Sequence, residues 1–258
     1  MEDRAAETGW PWGHRRARHL IESLIRKLER RDVLADFERK ALIEAFTEVR
    51  EYRPHEIVVR ESVEQTTSNL LLEGILCRYK DLRDGRRQIV ALHVPGDFAD
   101  LHSFLLKHLE HNLAALTPAR IAIFPHARLR EISERFPHLT RMLWFSTLLD
   151  AAIHRQWILS VGRRSAVARL AHLFCELRAR LDVVGMVNAE GFKLPLTQID
   201  LADATGLTPV HVNRMLRELR DRGLMEFRQG EVSIQDLAGL TRLAEFDPEY
   251  LYLRTREH

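Results

Sequence analysis

His211, Asn213, Arg214 and Arg217 set an imidazole, an amide and two guanidinium groups along one face of a short helical pattern, with Thr208 at its start and Val210 in its first turn. Polar and basic groups that share a helix face are suited to base edges and to phosphates. The pattern belongs to a longer stretch, residues 197–223, TQIDLADATGLTPVHVNRMLRELRDRG. Thr197 is placed to cap a first helix that carries Ile199, Leu201, Ala202 and Ala204. Gly206 stands where the chain must turn sharply, and glycine takes left-handed backbone angles without steric cost. Thr208 caps a second helix, Pro209 occupies its first turn, and Val212, Met215, Leu216 and Leu219 form its apolar stripe. Gly223 ends it. The pair reads as a helix-turn-helix whose second helix lies in the DNA major groove. An amphipathic hairpin that binds nothing shares part of this plan. It does not call for small Ala202 at the close approach, Gly206 at the turn and a basic outer face together.

The rest of the chain must hold those helices in place. Its 258 residues suit two domains, and its 45% hydrophobic and 29% charged residues are ordinary for a globular protein. A net charge of only +2 means that nucleic-acid affinity has to come from local clusters, as at Arg214–Arg222 and Arg163–Arg169. No apolar run reaches the roughly 18–20 residues of a membrane span. The N-terminal stretch MEDRAAETGWPWGHRRARH lacks the apolar core of a signal peptide, so a cytoplasmic location is expected. Two cysteines, Cys77 and Cys175, make neither a disulfide framework nor a cysteine-ligated cluster, and Cys175 is expected to pack in a helix interior. No paired nucleophile and base, phosphate-cradling glycine loop or metal-ligand quartet points to catalysis.

In chain order, residues 1–19 read as a loose arm containing Trp10 and Trp12, and residues 20–29 and 34–46 as two helices. EIVVRE, NLLLEGILCRYK, RQIVALHV and RIAIFP are strand-like runs, with Asp84-Gly85 expected as a type I′ hairpin turn. LHSFLLK, residues 101–107, reads as a short helix inserted among them. Residues 20–136 are thus expected to form a β-roll of antiparallel strands. From His138 the pattern becomes one long helix over residues 137–162. There Leu139, Met142, Ser146, Leu149, Ile153 and Gln156 recur at alternating spacings of three and four, the seam of a coiled coil. Phe145, Leu148 and Ala152 add a second apolar flank, so the helix needs two partners: its own β-roll and the same helix of a second subunit. Val161-Gly162 is the expected hinge. Residues 163–258 then hold an amphipathic helix (residues 165–181), a linker GMVNAEGFKLPL, the helix-turn-helix, a wing hairpin around Gln229-Gly230 and a final helix capped by Asp236. The expected fold class is α+β: β-roll, dimerisation helix, winged helix-turn-helix.

That order, with LTQIDLADATGLTPVHVNRMLRELRDRGL and LLLEGILCRYK…DGRRQIVALHVPGDF, resembles the Crp/Fnr family of bacterial transcription regulators over about residues 20–246. The resemblance implies a homodimer, a two-fold symmetric double-stranded DNA operator and contact with RNA polymerase. It makes Arg214 the base-reading arginine, a candidate for bidentate recognition of guanine, with phosphate contact as the alternative. Thr208 is placed for a phosphate, His211 and Asn213 for bases or phosphates, and Arg217 and Arg220 for the backbone. Relatives place a glutamate where this chain has Val210, which offers only apolar contact, for instance to a thymine methyl, so a different operator is expected.

The β-roll departs too. Relatives that bind cyclic AMP hold its phosphate with an Arg-Ser pair. The matching stretch PGDFADLHSFLLKHLEHNLAALT has none, and instead carries Asp97 and Asp100. Cyclic-nucleotide binding is therefore expected to be weak or absent. Asp97, Asp100, His102, His108 and His111 are the candidate effector residues; with His93 the histidines crowd this region, yet their spacing fits no metal motif, and the cofactor stays unknown. A signal in the roll is expected to shift the long helices and so gate DNA binding. The competing readings are a nucleotide-sensing regulatory subunit and a protein-docking module that binds no DNA.

Overall fold

The computed structural model describes residues 20–253; the expected arm, residues 1–19, lies outside them. Helices α1 (Glu22–Glu29) and α2 (Asp36–Ala45) bury Leu24, Ile25 and Leu28, and Leu42, Ile43 and Ala45, on one face each. Strands β1 (Glu48–Tyr52), β2 (Ile57–Val59), β3 (Thr67–Glu73), β4 (Leu76–Asp81) and β5 (Arg87–His93) follow, then the short α3 (Ser103–Leu106), β6 (Asn112–Ala115) and β7 (Ala119–Pro125). They form two antiparallel sheets in the orders β1-β7-β3 and β2-β6-β4-β5. Successive side chains on a strand point to opposite faces. Leu71, Ile121 and Ile123 accordingly meet Leu76, Leu113 and Ala115 inside the roll. Their neighbours Leu70, Leu72, Ala122 and Phe124 pack outward on α1, α2 and α4 (His126–Arg135).

The β4–β5 turn departs from the expected type I′. Of its pair only Gly85 has a positive φ, +82°, while Asp84 does not. Gly85 N donates to Leu82 O at 3.0 Å and Leu82 N to Arg86 O at 2.7 Å. This is a three-residue loop closed by a left-handed glycine, and the Asp84 carboxylate accepts from Arg86 N at 3.0 Å.

Helix α5 (Pro137–Arg163) opens on Pro137, whose missing N–H is free at that position, and runs unbroken through Gly162. The expected hinge is therefore displaced. The chain breaks at Arg164 and Ser165, both extended, and Ser165 Oγ accepts from Ala168 N to start α6 (Ala166–Val183). Isolated glycine costs a helix only about 1 kcal/mol, and α5 tolerates it here in open space. Helix α6 is not amphipathic in practice. Leu170, Ala171, Leu173, Phe174, Cys175 and Leu177 are buried around most of its circumference, because the β-roll and the helix-turn-helix sandwich it.

Beyond α6 come β8 (Phe192–Lys193), α7 (Gln198–Thr205), α8 (Pro209–Asp221), β9 (Met225–Arg228), β10 (Glu231–Ile234), α9 (Leu237–Ala244) and a 3-10 turn, Pro248–Leu251. Gln229 and Gly230 both have positive φ, as a two-residue hairpin requires. Strand β8 lies in the stretch expected to be linker and makes the wing three-stranded, in the order β8-β10-β9. Asp236 accepts from Gly239 N at 2.8 Å and caps α9. One apolar core runs from the outer face of the four-stranded sheet, through α6, into this module.

Candidate nucleic-acid interface and β-roll cavity

Thr197 and Asp200 cap α7 reciprocally: Thr197 Oγ1 accepts from Asp200 N at 3.1 Å, and Asp200 Oδ2 accepts from Thr197 N at 2.9 Å. Gly206 takes φ +65° and turns the chain into α8, where Thr208 Oγ1 accepts from His211 N at 3.3 Å. Val212, Met215 and Leu219 are buried against α6 and α7, so α8 can present only its other side. Thr208, Val210, His211, Asn213, Arg214 and Arg217 are all exposed there, Val210 to 77%. The Arg214 and Arg217 guanidiniums have no ion-pair partner among the described residues, whereas Arg222 is tied to Glu218. Asn213 Nδ2 donates to Gln198 Oε1 at 3.4 Å, which steadies the amide from the neighbouring helix. Ile199, expected among the apolar residues of α7, is 59% exposed.

The first helix, not the recognition helix, docks on the roll. Arg87 Nε on β5 lies 2.8 Å from Asp203 Oδ2, Arg87 Nη2 lies 3.3 Å from Asp200 Oδ1, and Gln88 Nε2 donates to Asp203 O at 2.7 Å. The basic face of α8 thereby stays open.

Helix α5 divides the residues of the expected seam by burial within the protomer. Leu139, Met142 and Ile153 are buried inside the protomer, and Ser146, Leu149 and Gln156 are half-buried. The opposite side is apolar as well: Trp144, Leu148 and Ile158 are 63%, 55% and 72% exposed. Trp144, Leu148 and Ile158 share a helix face opposite the first stripe, so the presence of an apolar face alone could not tell which one turns inward. The β-roll and α1 cover the first, and the second stays exposed.

The candidate effector residues separate. Asp97 and His102 line a cavity of about 70 Å³ between the roll, α1 and α5; Asp100, His108 and His111 do not. Asp100 is buried and accepts from Asn69 N and Nδ2 at 2.6 and 2.5 Å. Burial pushes its carboxyl up to about 6. His108 is exposed, and His111 pairs with Glu110 at 3.0 Å while its ring sits 5.7 Å from that of His102. Among the described residues no three His, Cys, Asp or Glu side chains are grouped to hold a metal.

His93, already noted in the histidine-rich stretch, lines the cavity too, as do Lys27, Arg78, Asp150 and Arg180, which the sequence did not single out. Arg78 is the one with a readable signal, a charge inside the apolar run LLLEGILCRYK. Its Nε donates to Ala99 O at 2.8 Å and its Nη1 meets Asp150 Oδ2 at 2.5 Å. His93 is buried, its Nε2 has no partner among the described residues, and desolvation drives its basicity well down; burial brings His102 down to about 4. Each cation of the wall is paired, and its histidines are held neutral. A cyclic nucleotide does not fit the cavity: the space holds a few waters, against the several hundred Å³ of a drug-sized site, and its two arginines are already matched, Arg78 by Asp150 and Arg180 by Asp97 and Glu176.

Together these features define a winged helix-turn-helix protein with a cyclic-nucleotide-binding type of β-roll. Residues 168–243 match the Crp-like helix-turn-helix domain family and residues 49–136 the cyclic nucleotide-binding domain family. The nitrogen fixation regulation protein FixK of Bradyrhizobium diazoefficiens is 32% identical over 194 residues, 73% of this chain and 78% of that one. The transcriptional activator protein FnrL of Cereibacter sphaeroides is 28% identical over 220 residues, 83% of this chain and 87% of FnrL. The solved structure of FixK2 from Bradyrhizobium japonicum superposes with a TM-score of 0.70 at 26% identity, covering 76% of this chain and 96% of FixK2. The chain belongs to the Crp/Fnr family of transcriptional regulators.

Proposed function

We propose that the protein acts as a homodimer that places two α8 helices in successive major grooves of a two-fold symmetric operator, about 34 Å apart. The observation that carries this reading is the open outer face of α8, with Arg214 and Arg217 unpaired among the described residues while its apolar side is fixed on α6 and α7. Arg214 reads guanine, Val210 meets an apolar base edge, and His211 and Asn213 supply adjustable hydrogen bonds. Thr208 and the N-terminus of α8 hold a phosphate, and Arg217 and Arg220 follow the backbone.

Trp144, Leu148 and Ile158 form the seam with the second subunit in place of Leu139, Met142 and Ile153, which are already covered. The signal acts at the β-roll and is not cyclic AMP, because the cavity is small and Arg78 is neutralised. Regulation runs through contact with RNA polymerase in the cytoplasm; no helix among the described residues is long and apolar enough to cross a membrane. A salt titration of duplex binding tests the reading. Log affinity should fall linearly with log salt at a slope set by several phosphates per dimer, and a slope near zero would reject DNA as the partner.

A further inference from the structure

The α6–roll interface contains a chain of charges, Glu176 and Arg180 buried and Asp97 and Lys27 half-buried, that apolar packing does not require. Asp97, in the loop after β5, receives Lys27 Nζ of α1 at 2.5 Å and Arg180 Nη2 of α6 at 2.9 Å. The same Arg180 Nη2 donates to Leu92 O on β5 at 2.7 Å, and its Nη1 meets Glu176 at 3.0 Å. Glu176, fully buried, also accepts from Trp157 Nε1 of α5 at 3.2 Å and from the Tyr250 hydroxyl at 2.9 Å. Two cations and two anions thus join α1, the roll, α5, α6 and the C-terminal turn. A second pair of contacts, Arg87 with Asp200 and Asp203, fixes α7 on β5 at the other end of the interface.

Buried ion pairs are weak sources of stability, because desolvation offsets their attraction. They are strong sources of register. An apolar face such as that of Cys77, Ile89 and Leu92 against α6 can slide by fractions of a turn and stay buried, but a shift that separates Arg180 from Asp97 strands a charge. Trp157 comes from the helix that carries the dimer seam, and Arg180 from the helix that carries the recognition module.

We propose that the Lys27–Asp97–Arg180–Glu176 chain and Arg87 form an orientation lock, which holds the helix-turn-helix at one angle on the β-roll and so sets the half-site spacing the dimer accepts. Arg180 and Arg87 are positioning residues in this role and touch no DNA. The proposal rests on the dimeric DNA-binding reading for its consequence, but not for its geometry.

The test uses the full chain with spin labels on Glu51→Cys in β1 and Arg242→Cys in α9, both exposed; the buried Cys77 and Cys175 stay unlabelled. Intraprotomer distances are measured by pulsed electron resonance with sparse labelling, in the absence of DNA. The unsubstituted lock should give one narrow distribution, and Arg87→Gln with Arg180→Gln should broaden it about twofold or more. On operators with half-sites moved by about two base pairs, wild-type discrimination of about tenfold or more should shrink below about threefold. Single half-site affinity should be retained. If the double variant does not fold, Arg87→Gln alone is read the same way, since Arg87 lies at the rim. A distribution as narrow as wild type in a folded lock variant would overturn the lock. Absence of any duplex binding by wild type would overturn the DNA reading, while the distances still decide the lock.

Discussion

The outer face of α8 and the wall of the β-roll cavity are both rich in charged and polar groups, and they are built on opposite terms. On α8, Arg214, Arg217 and His211 are exposed, with no side-chain partner among the described residues. Around the cavity, Lys27, Arg78 and Arg180 are each matched by a carboxylate, and His93 and His102 are kept neutral by burial. A surface that must meet a polyanion keeps its cations unspent in water, where holding them apart costs little. An interior that must hold several elements in register cannot leave a charge unmatched. Charge density alone therefore does not mark a ligand site; its pairing does.

The contrast can be broken or sharpened experimentally. The exposed face works only in duplicate, so the largest effect should come from Leu148→Asp in the open stripe of α5. Sedimentation should show monomer, with operator affinity down by about two orders of magnitude or more, since two half-sites no longer bind as a unit. Retained dimer would return the seam to another surface. Arg214→Ala should follow, at about 1–3 kcal/mol on the preferred site, with selectivity relaxed at one position and the melting temperature unchanged. Equal loss on every sequence would make it a phosphate contact. Val210→Glu should shift preference toward cytosine at one position by about tenfold, because a carboxylate accepts from cytosine N4.

A stability measurement probes the interior. His93, His102 and His172 are pulled down by burial, the last two to about 4, from an ordinary 6.5. Between about pH 4 and 6.5 the unfolded chain therefore binds protons that the folded one refuses, and stability should rise with pH across that window. Asp100, raised to about 6, opposes this trend, while His111 and His126, also lowered by burial, add to it. Denaturant midpoints should drop toward pH 4.5, and His172→Phe, between Phe246 and Tyr250, should flatten the slope; an unchanged slope would remove His172 from the account. The smallest effect should be that of Arg217→Ala, a uniform loss with the salt slope reduced by about one.

The recognition module was legible because its signals are local. Thr197, Gly206, Thr208 and Pro209 act within a few residues of themselves, and the structure has each in the expected role. Strands β1 and β6 were not legible: EVREY is charged and lies at a sheet edge, and NLAA is short and alanine-rich. The orientation of α5 was hard to read because both of its faces carry large apolar side chains. The cavity wall was the least legible part. Lys27, Arg78, Asp150 and Arg180 lie far apart in sequence, and all but Arg78 resemble ordinary surface charges until the fold brings them together. The histidine-rich stretch pointed to a site because its members are neighbours in sequence, yet the fold sends His108 outward and hides His111 beside Glu110.

Paired α8 helices reading a two-fold operator should declare themselves in a selection of bound duplexes from a random pool by the purified protein. The selected duplexes should share an inverted repeat with half-site centres about one helical turn apart, and a guanine in each half whose enrichment disappears in Arg214→Ala. Recovery of a single unrepeated site, or of no enriched sequence, would contradict that arrangement.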